Sequence, residues 1–377
     1  MAIEQVRWSE ASGWEPHPPG CLDTPPQFVL VFGSEGLLQA DSVLEDVRRA
    51  WPDARLFGCS TAGEICDTRV ADDTLVVSAV SFEHTFVDGA AVRIDSDSFR
   101  TGERLAAALP HEELRHALVF ADGLAVNGTE LARGLRAGLP PQVAVTGGLA
   151  GDGNRFRQTC VVWDGVADSG VAGILGFYGD RLHVGHGCMG GWGAFGPERL
   201  ITRSSGRVLF ELDGQPALGL YKRYLGEHAS GLPATGLIFP LILRTRDGVQ
   251  GLGRAVLGID ETEQSVIFAG DMPEGAYARL MVANHDRLLD GATEAASSAL
   301  RGLGAVKPDL AILVSCAGRK LVLDQRVEDE VESVREVMGE GPVLTGFYSY
   351  GEFASLVAGS RFELQNQTMS VTTFGEH

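Results

Sequence analysis

The residues able to do chemistry fall into a few short clusters. The closest pair of imidazoles is His183-Val-Gly-His186. On a helix, residues three apart share a face and can bind one metal; on a strand they point to opposite faces. Arg181 to Val184 reads as strand, so both histidines line one pocket only if Gly185 bulges the chain. His186 is in phase with Leu182 and Val184 and shares their apolar face; His183 is in phase with Arg181 and faces solvent. A histidine on an apolar face is either a hydrogen-bonded core residue or a ligand, and both readings stay open for His186. The overlapping Gly185-x-Gly187-x-x-Gly190 matches a dinucleotide fingerprint after a strand. The residues that follow, Trp192-Gly-Ala-Phe-Gly-Pro197, cannot start the helix whose N-terminus holds a pyrophosphate. That segment reads as a glycine-rich loop with close backbone packing.

Gly58-Cys-Ser-Thr-Ala-Gly63 is one residue longer than a G-x-S-x-G nucleophile elbow, and Ser349 has Phe347 where the first glycine belongs. No His–Asp pair is placed to activate either serine. Cys59 and Cys316 follow strand ends. A nucleophilic cysteine needs a depressed pKa, whereas a small buried thiol is the ordinary case. The six cysteines form no C-x-x-C and read as thiols. Glu64, Asp152 and Glu352 each follow a glycine; they either converge on one site or cap turns. Arg319 is placed to pair with Glu352 or with a ligand carboxylate. Phe347, Tyr348 and Tyr350 suit a core or a planar ligand.

The elements positioning these residues repeat. Phe28–Phe32 is a short apolar strand, Asp41–Ala50 has helical spacing, and Leu56 leads into the Gly58–Glu64 turn. Ala117–Phe120 begins a second copy, Asn127-Gly-Thr129 fits a helix cap, and Gly151-Asp152 ends it. Ala311–Val314, a helix from Glu328 to Val337, and Gly346–Glu352 make the third. Gly58 to Gly63 and Gly346 to Gly351 each span five residues before a glutamate. This predicts structurally equivalent units, with copies one and three related by an approximate two-fold. In copy two, Thr146 replaces the first glycine and Gly147 stands one position later. The fold class is α/β with mixed sheets. Residues 1–27, rich in proline, read as an irregular lead-in; a Gly/Pro break around 227–234 divides the remainder into domains 28–228 and 229–377.

Composition narrows the function. The 377-residue chain carries 50 acids against 31 bases, a net charge of −19. Such a surface repels phosphate, so neither nucleic acid nor a membrane surface is expected as partner. No apolar run reaches the ~18 residues of a membrane span, and the start has no signal-peptide pattern, so the expected compartment is the cytoplasm. The 49 glycines are about twice the usual share and imply many tight turns or close backbone approaches.

Gly58–Glu64, Gly206–Ala217, Ser315-Cys-Ala-Gly-Arg319, Gly346–Glu352 and Asn366-Gln-Thr-Met369, in that order, resemble the FIST sensory domain. The resemblance runs from about Phe28 to Thr373. It implies a two-domain FIST fold and a small-ligand sensory role in signal transduction. Some stand-alone bacterial members of that family bind haem, sense nitric oxide, and regulate histidine kinases or cyclic-di-GMP enzymes. With only about 27 residues ahead of the domain, this chain resembles that type and is expected not to be an enzyme.

Two ligand readings follow. In the first, which rests on the resemblance, haem takes His186 as axial metal ligand and Arg203 or Arg207 as propionate partners, with Gly187, Gly190 and Gly191 letting backbone approach the macrocycle. In the second, a metal-free amino-acid-like ligand binds the repeat turns: Ser60, Thr61 and the following amides hold its carboxylate, and Glu64 or Glu352 its amine, with Arg319 a further carboxylate partner. A hydrolase is the third reading, held back by the missing triad.

Overall fold

Apolar strands followed by amphipathic helices build three copies of one unit. The computed structural model describes residues 1–40, 42–244, 250–356 and 361–376. In unit one, Phe28–Gly33 and Arg55–Ser60 run parallel across helix Ser42–Ala50. In unit two, Leu114–Ala121 and Ala144–Leu149 run parallel across helix Gly128–Gly138, whose cap is Asn127 as its sequence suggests. In unit three, Leu310–Cys316 and Val343–Ser349 run parallel across helix Val327–Met338. Beside each first strand lies an antiparallel one: Leu75–Ser81, Val171–Tyr178 and Met369–Glu376 respectively. An outer strand follows: Ala2–Ser9, Phe86–Arg93 and Leu182–Met189.

The other edge of each sheet is supplied by a different unit. The hairpin Glu64–Cys66 and Arg69–Ala71 leaves unit one and pairs with Val343–Ser349 of unit three. Gly351–Ala354 and Glu363–Gln365 leave unit three and pair with Ala144–Leu149 of unit two. Val161–Trp163 and Val166–Asp168 leave unit two and pair with Arg55–Ser60 of unit one. The exchange closes a ring of three. The expected two-fold between copies one and three is therefore corrected to a cyclic three-unit arrangement in which copy two is a full member.

One hydrogen bond recurs at each junction of the ring. The Ala62 N–H donates to Tyr348 O (2.8 Å), Tyr350 N–H to Leu149 O (3.1 Å), and Gly151 N–H to Ser60 O (2.9 Å). The register explains the glycines. Gly58, Gly147 and Gly346 lie opposite Val31, Val119 and Leu313. A Cβ on them would fall 1.7, 2.0 and 1.9 Å from those residues' carbonyl oxygens. Glycine is required there by the neighbouring backbone, and Gly147, not Thr146, is the copy-two equivalent. Copy two is one residue shorter between this glycine and its acid.

The inner faces of the three sheets meet in one core that includes Phe28, Phe32, Phe57, Phe120, Phe177, Phe347 and Phe374. Phe32, Phe120 and Phe347, one from each unit, are in mutual contact at 4.8–5.5 Å. Helices cover the outer faces. Sheets buried on both sides account for strands such as Phe28–Gly33 that are apolar without alternation.

The lead-in is not irregular throughout. Ala2–Ser9 pairs with Leu75–Ser81, and Gly13–Glu15 folds back on it. An outer strand buries alternate residues, here Glu4 and Val6, so its sequence lacks a long apolar run. In chain order the proline-rich remainder stands where helices Ser98–Ala108 and His285–Leu303 precede the first strands of the other units; proline cannot supply helix N–H donors.

Residues between Leu182–Met189 and helix His285–Leu303 build a fourth sheet around Gly193–Ser205, Val208–Leu212 and Tyr277–Val282, packed on helix Ala217–Leu225. The break around 227–234 falls within this stretch of the chain, at the surface, and forms two short 3-10 turns, Gly226–Gly231 and Ala234–Ile238. A strand of this sheet, Leu241–Arg244, follows them. No helix among the described residues is long and apolar enough to cross a membrane.

Candidate functional site

The acids that follow the repeat glycines sit in matched settings. Glu64 is 1% exposed and accepts hydrogen bonds from the Thr61 hydroxyl, Thr74 N–H (3.1 Å) and Thr74 Oγ1 (2.7 Å). Glu352 is fully buried and accepts from Ser349 Oγ (2.7 Å), Thr368 N–H (3.2 Å) and Thr368 Oγ1 (2.8 Å). In both, a hydroxyl three residues earlier and a threonine on the adjoining segment hold the carboxyl. Burial pushes Glu64 up to about 7 and Glu352 up to about 8, against the opposing pull of these hydrogen bonds. Asp152, the shorter copy-two acid, instead caps a turn, accepting from Phe156, Arg157 and Gln158 N–H groups and from the Tyr350 hydroxyl.

Of these three acids, Glu64 faces a cavity. It holds about 520 Å³ and is lined from all three units. Unit one supplies Thr61–Glu64 and Asp72-Asp73, the bend after the hairpin, the unit-two exit supplies Asn154 and Arg155, and unit three supplies Lys320 and Asp324. Turns at strand ends do this because each unit's exit crosses to its neighbour. Gly63, at φ +138° and with Lys320 Nζ 2.5 Å from where a Cβ would be, lets the lysine lie across the turn. Lys320 donates to Ala62 O (2.9 Å), pairs with Asp72, and lies 5.8 Å over the Tyr348 ring. Arg155 has no ion-pair partner among the described residues. Four acids thus face two bases, and the lining offers both charges to one small ligand.

The residues expected to hold an amino-acid ligand divide between this cavity and the interior. Thr61 and Glu64 line the cavity. Ser60 does not: its hydroxyl accepts the Cys160 N–H (3.0 Å). The amides after Thr61 are consumed by Tyr348 O and Thr61 Oγ1. Arg319 pairs with neither Glu352 nor a ligand. It is fully buried against Glu330 (2.6 Å) and the Leu288 (2.8 Å) and Gly190 carbonyls. Glu352 is fully buried and lines none of the five cavities described. Asp72, Asp73, Asn154, Arg155, Lys320 and Asp324 were not singled out by sequence. Their signal was position: each stands within a few residues of a repeat turn, and Lys320 is one of only three lysines in the chain.

The haem residues do not assemble. Leu182–Met189 turns Gly185 and Gly187 toward helix His285–Leu303, where Cβ atoms would meet the Ala299 and Ala295 carbonyl oxygens at 2.0 and 2.1 Å. The small-residue face therefore accommodates a helix, and no macrocycle has room beside Gly187. Gly191 is likewise closed by the Arg287 carbonyl. His186 is on the other face with Leu182 and Val184, as its phase suggests. Burial lowers its pKa, and it lines none of the five cavities described. Arg203 and Arg207 belong to the fourth sheet. Arg203 pairs with Glu211 (2.9 Å) and stacks on Phe210 at 4.6 Å; Arg207 sits at a turn whose carbonyl accepts Phe268 N–H. These residues do not fit haem.

Cys59 and Cys316 are buried, and burial raises both thiols, which makes them inert. Among the described residues no hydrogen bond joins Ser60 or Ser349 to a histidine, as a serine triad needs.

No curated protein matches the chain. Among solved structures, cyanuric acid hydrolase from A. caulinodans is similar at 8% identity and TM-score 0.39, over 100% of this chain and 99% of that one. The FIST N domain model matches residues 27–215 and the FIST C domain model residues 217–355. The chain belongs to the FIST family of small-ligand sensory domains.

Proposed function

We propose that the cavity shared by the three units is the sensory site, and that its ligand is a small zwitterion of the amino-acid class. The observation that carries this is the lining: Asp73 and Asp324 for an ammonium, Arg155 for a carboxylate, Asn154 and Thr61 for orientation, drawn together from all three units. Asp73 and Asp324 line the cavity at φ +54° and +48°, the left-handed region where aspartate is enriched. A ligand bridging them ties the hairpin of unit one to helix Ala317–Leu323 of unit three. That changes the surface offered to a signalling protein, and the family resemblance names histidine kinases and cyclic-di-GMP enzymes as that class of partner.

A thermal-shift screen of free amino acids and related zwitterions tests the reading. A binder at ~100 times its Kd stabilises the folded chain by about 2.7 kcal/mol. The same compound must lose its effect with Arg155→Ala and with Asp73→Asn. A flat response across the set, or equal responses in wild type and both variants, overturns the proposal.

A further inference from the structure

Glu4, His17 and Cys21 come together outside the ring of turns. From the Glu4–His17–Cys21 juxtaposition we infer a site for a soft divalent cation, Zn²⁺ in the first instance, at the N-terminal edge of the first sheet. One ligand atom from each residue lies within 4.8 Å of the other two. A carboxylate oxygen, an imidazole nitrogen and a thiolate are the three kinds of donor that zinc takes, at bond lengths of about 2.0–2.3 Å. Modest side-chain rotation converges them, and a water completes a tetrahedron.

Burial argues that something is meant to meet Glu4. The residue is 7% exposed on strand Ala2–Ser9. Its Oε1 accepts the Gly20 N–H (3.0 Å) and lies 3.7 Å from His17 Nδ1. Its Oε2 is buried with no hydrogen-bond partner among the described residues. A buried carboxylate oxygen left unmatched destabilises the fold, and a cation removes that cost. The Pro18 carbonyl lies against both His17 Nδ1 (3.0 Å) and Cys21 Sγ (3.9 Å), which keeps the two donor side chains on one side of the loop. Gly20 sits at φ +112°, which turns the His17–Cys21 loop back over Glu4.

Sequence spacing did not announce the site, because one donor comes from a strand and two from the loop after the hairpin. Binding transfers the Cys21 thiol proton to solvent and leaves the thiolate on the metal. Thiolate selects zinc over magnesium or calcium. The consequence is a staple: the proline-rich loop that stands where other units carry a helix is tied to the sheet edge.

The test uses the full chain after chelator treatment. Cys21 is the exposed cysteine among the six and reacts first with a chromogenic disulfide reagent. Zn²⁺ is expected to slow that reaction at least ~10-fold, while Mg²⁺ leaves it unchanged. In competition with a chromogenic chelator, Glu4→Gln and His17→Ala are each expected to weaken Zn²⁺ binding at least ~10-fold, the low end of what even a supporting partner costs a metal site. Far-UV circular dichroism confirms that each variant is folded, and Cys21→Ser reports in the competition assay alone. Unchanged thiol reactivity with Zn²⁺, equal protection by Mg²⁺, or the same Zn²⁺ affinity in wild type and all three variants overturns the inference.

Discussion

Glu64→Gln separates the cost of burying this carboxylate from its hydrogen bonds. The amide keeps the shape of the protonated acid: its oxygen accepts from Thr74 and its NH₂ faces Thr61. Glu64 titrates at about 7 when folded, against an ordinary 4.5. Burial is the main cause, and nearby Asp72 adds to it. The folded state therefore holds more protons than the unfolded state between these values, and stability falls as pH rises through that window. Below pH 4.5 the acid is protonated in both states and contributes no penalty. Above pH 7 the full penalty is present; at 1.36 kcal/mol per pKa unit it amounts to roughly 3 kcal/mol. Urea denaturation of wild type and variant across this range is the assay. The variant should match wild type at the acid end and exceed it by up to roughly 3 kcal/mol at pH 8. A difference that does not change with pH, or a variant less stable at pH 8, refutes the reasoning.

Glu352→Gln should behave alike, with the loss of stability extending to about pH 8; a flat pH profile of the wild-type minus variant difference contradicts the matched settings. Alanine at Gly147 should destabilise as much as at Gly58 or Gly346, by more than ~3 kcal/mol each, because backbone stands where the Cβ would go. A tolerated Gly147→Ala, read by urea denaturation or soluble yield, would falsify its place in the repeat. Arg319→Met leaves Glu330 and two carbonyls without their buried partner and should cost ~3–5 kcal/mol in the same assay; a neutral result removes the arginine's structural role.

Much of the fold was legible because its signals are local. The apolar runs at Phe28, Ala117 and Ala311 gave the strands, Asn127 gave its cap, and the Gly–acid endpoints gave the repeat. The hairpin exchange was not legible. Which sheet a short strand such as Glu64–Cys66 joins is decided by the packing of three units, not by its own residues. The three-fold was hidden by the single-residue deletion before Asp152. Ala2–Ser9 escaped notice because an outer strand needs few apolar residues. The site divided similarly. Thr61 and Glu64 were found because they lie in the repeated turn, whereas Asp73, Arg155 and Lys320 face the cavity only after the units close their ring. Gly185 and Gly187 were readable as places of close backbone approach. That the approaching group is helix His285–Leu303, about a hundred residues later, was not.

The central claim is that one ligand engages turns from all three units at once. Hydrogen exchange of the chain with and without a binding zwitterion tests it most directly. The account predicts that slowed exchange appears together in residues 61–64, 153–155 and 317–324, with strand Leu182–Met189 and the Arg203–Arg207 turn unaffected. Protection confined to one of those segments, or centred on Leu182–Met189, would contradict it.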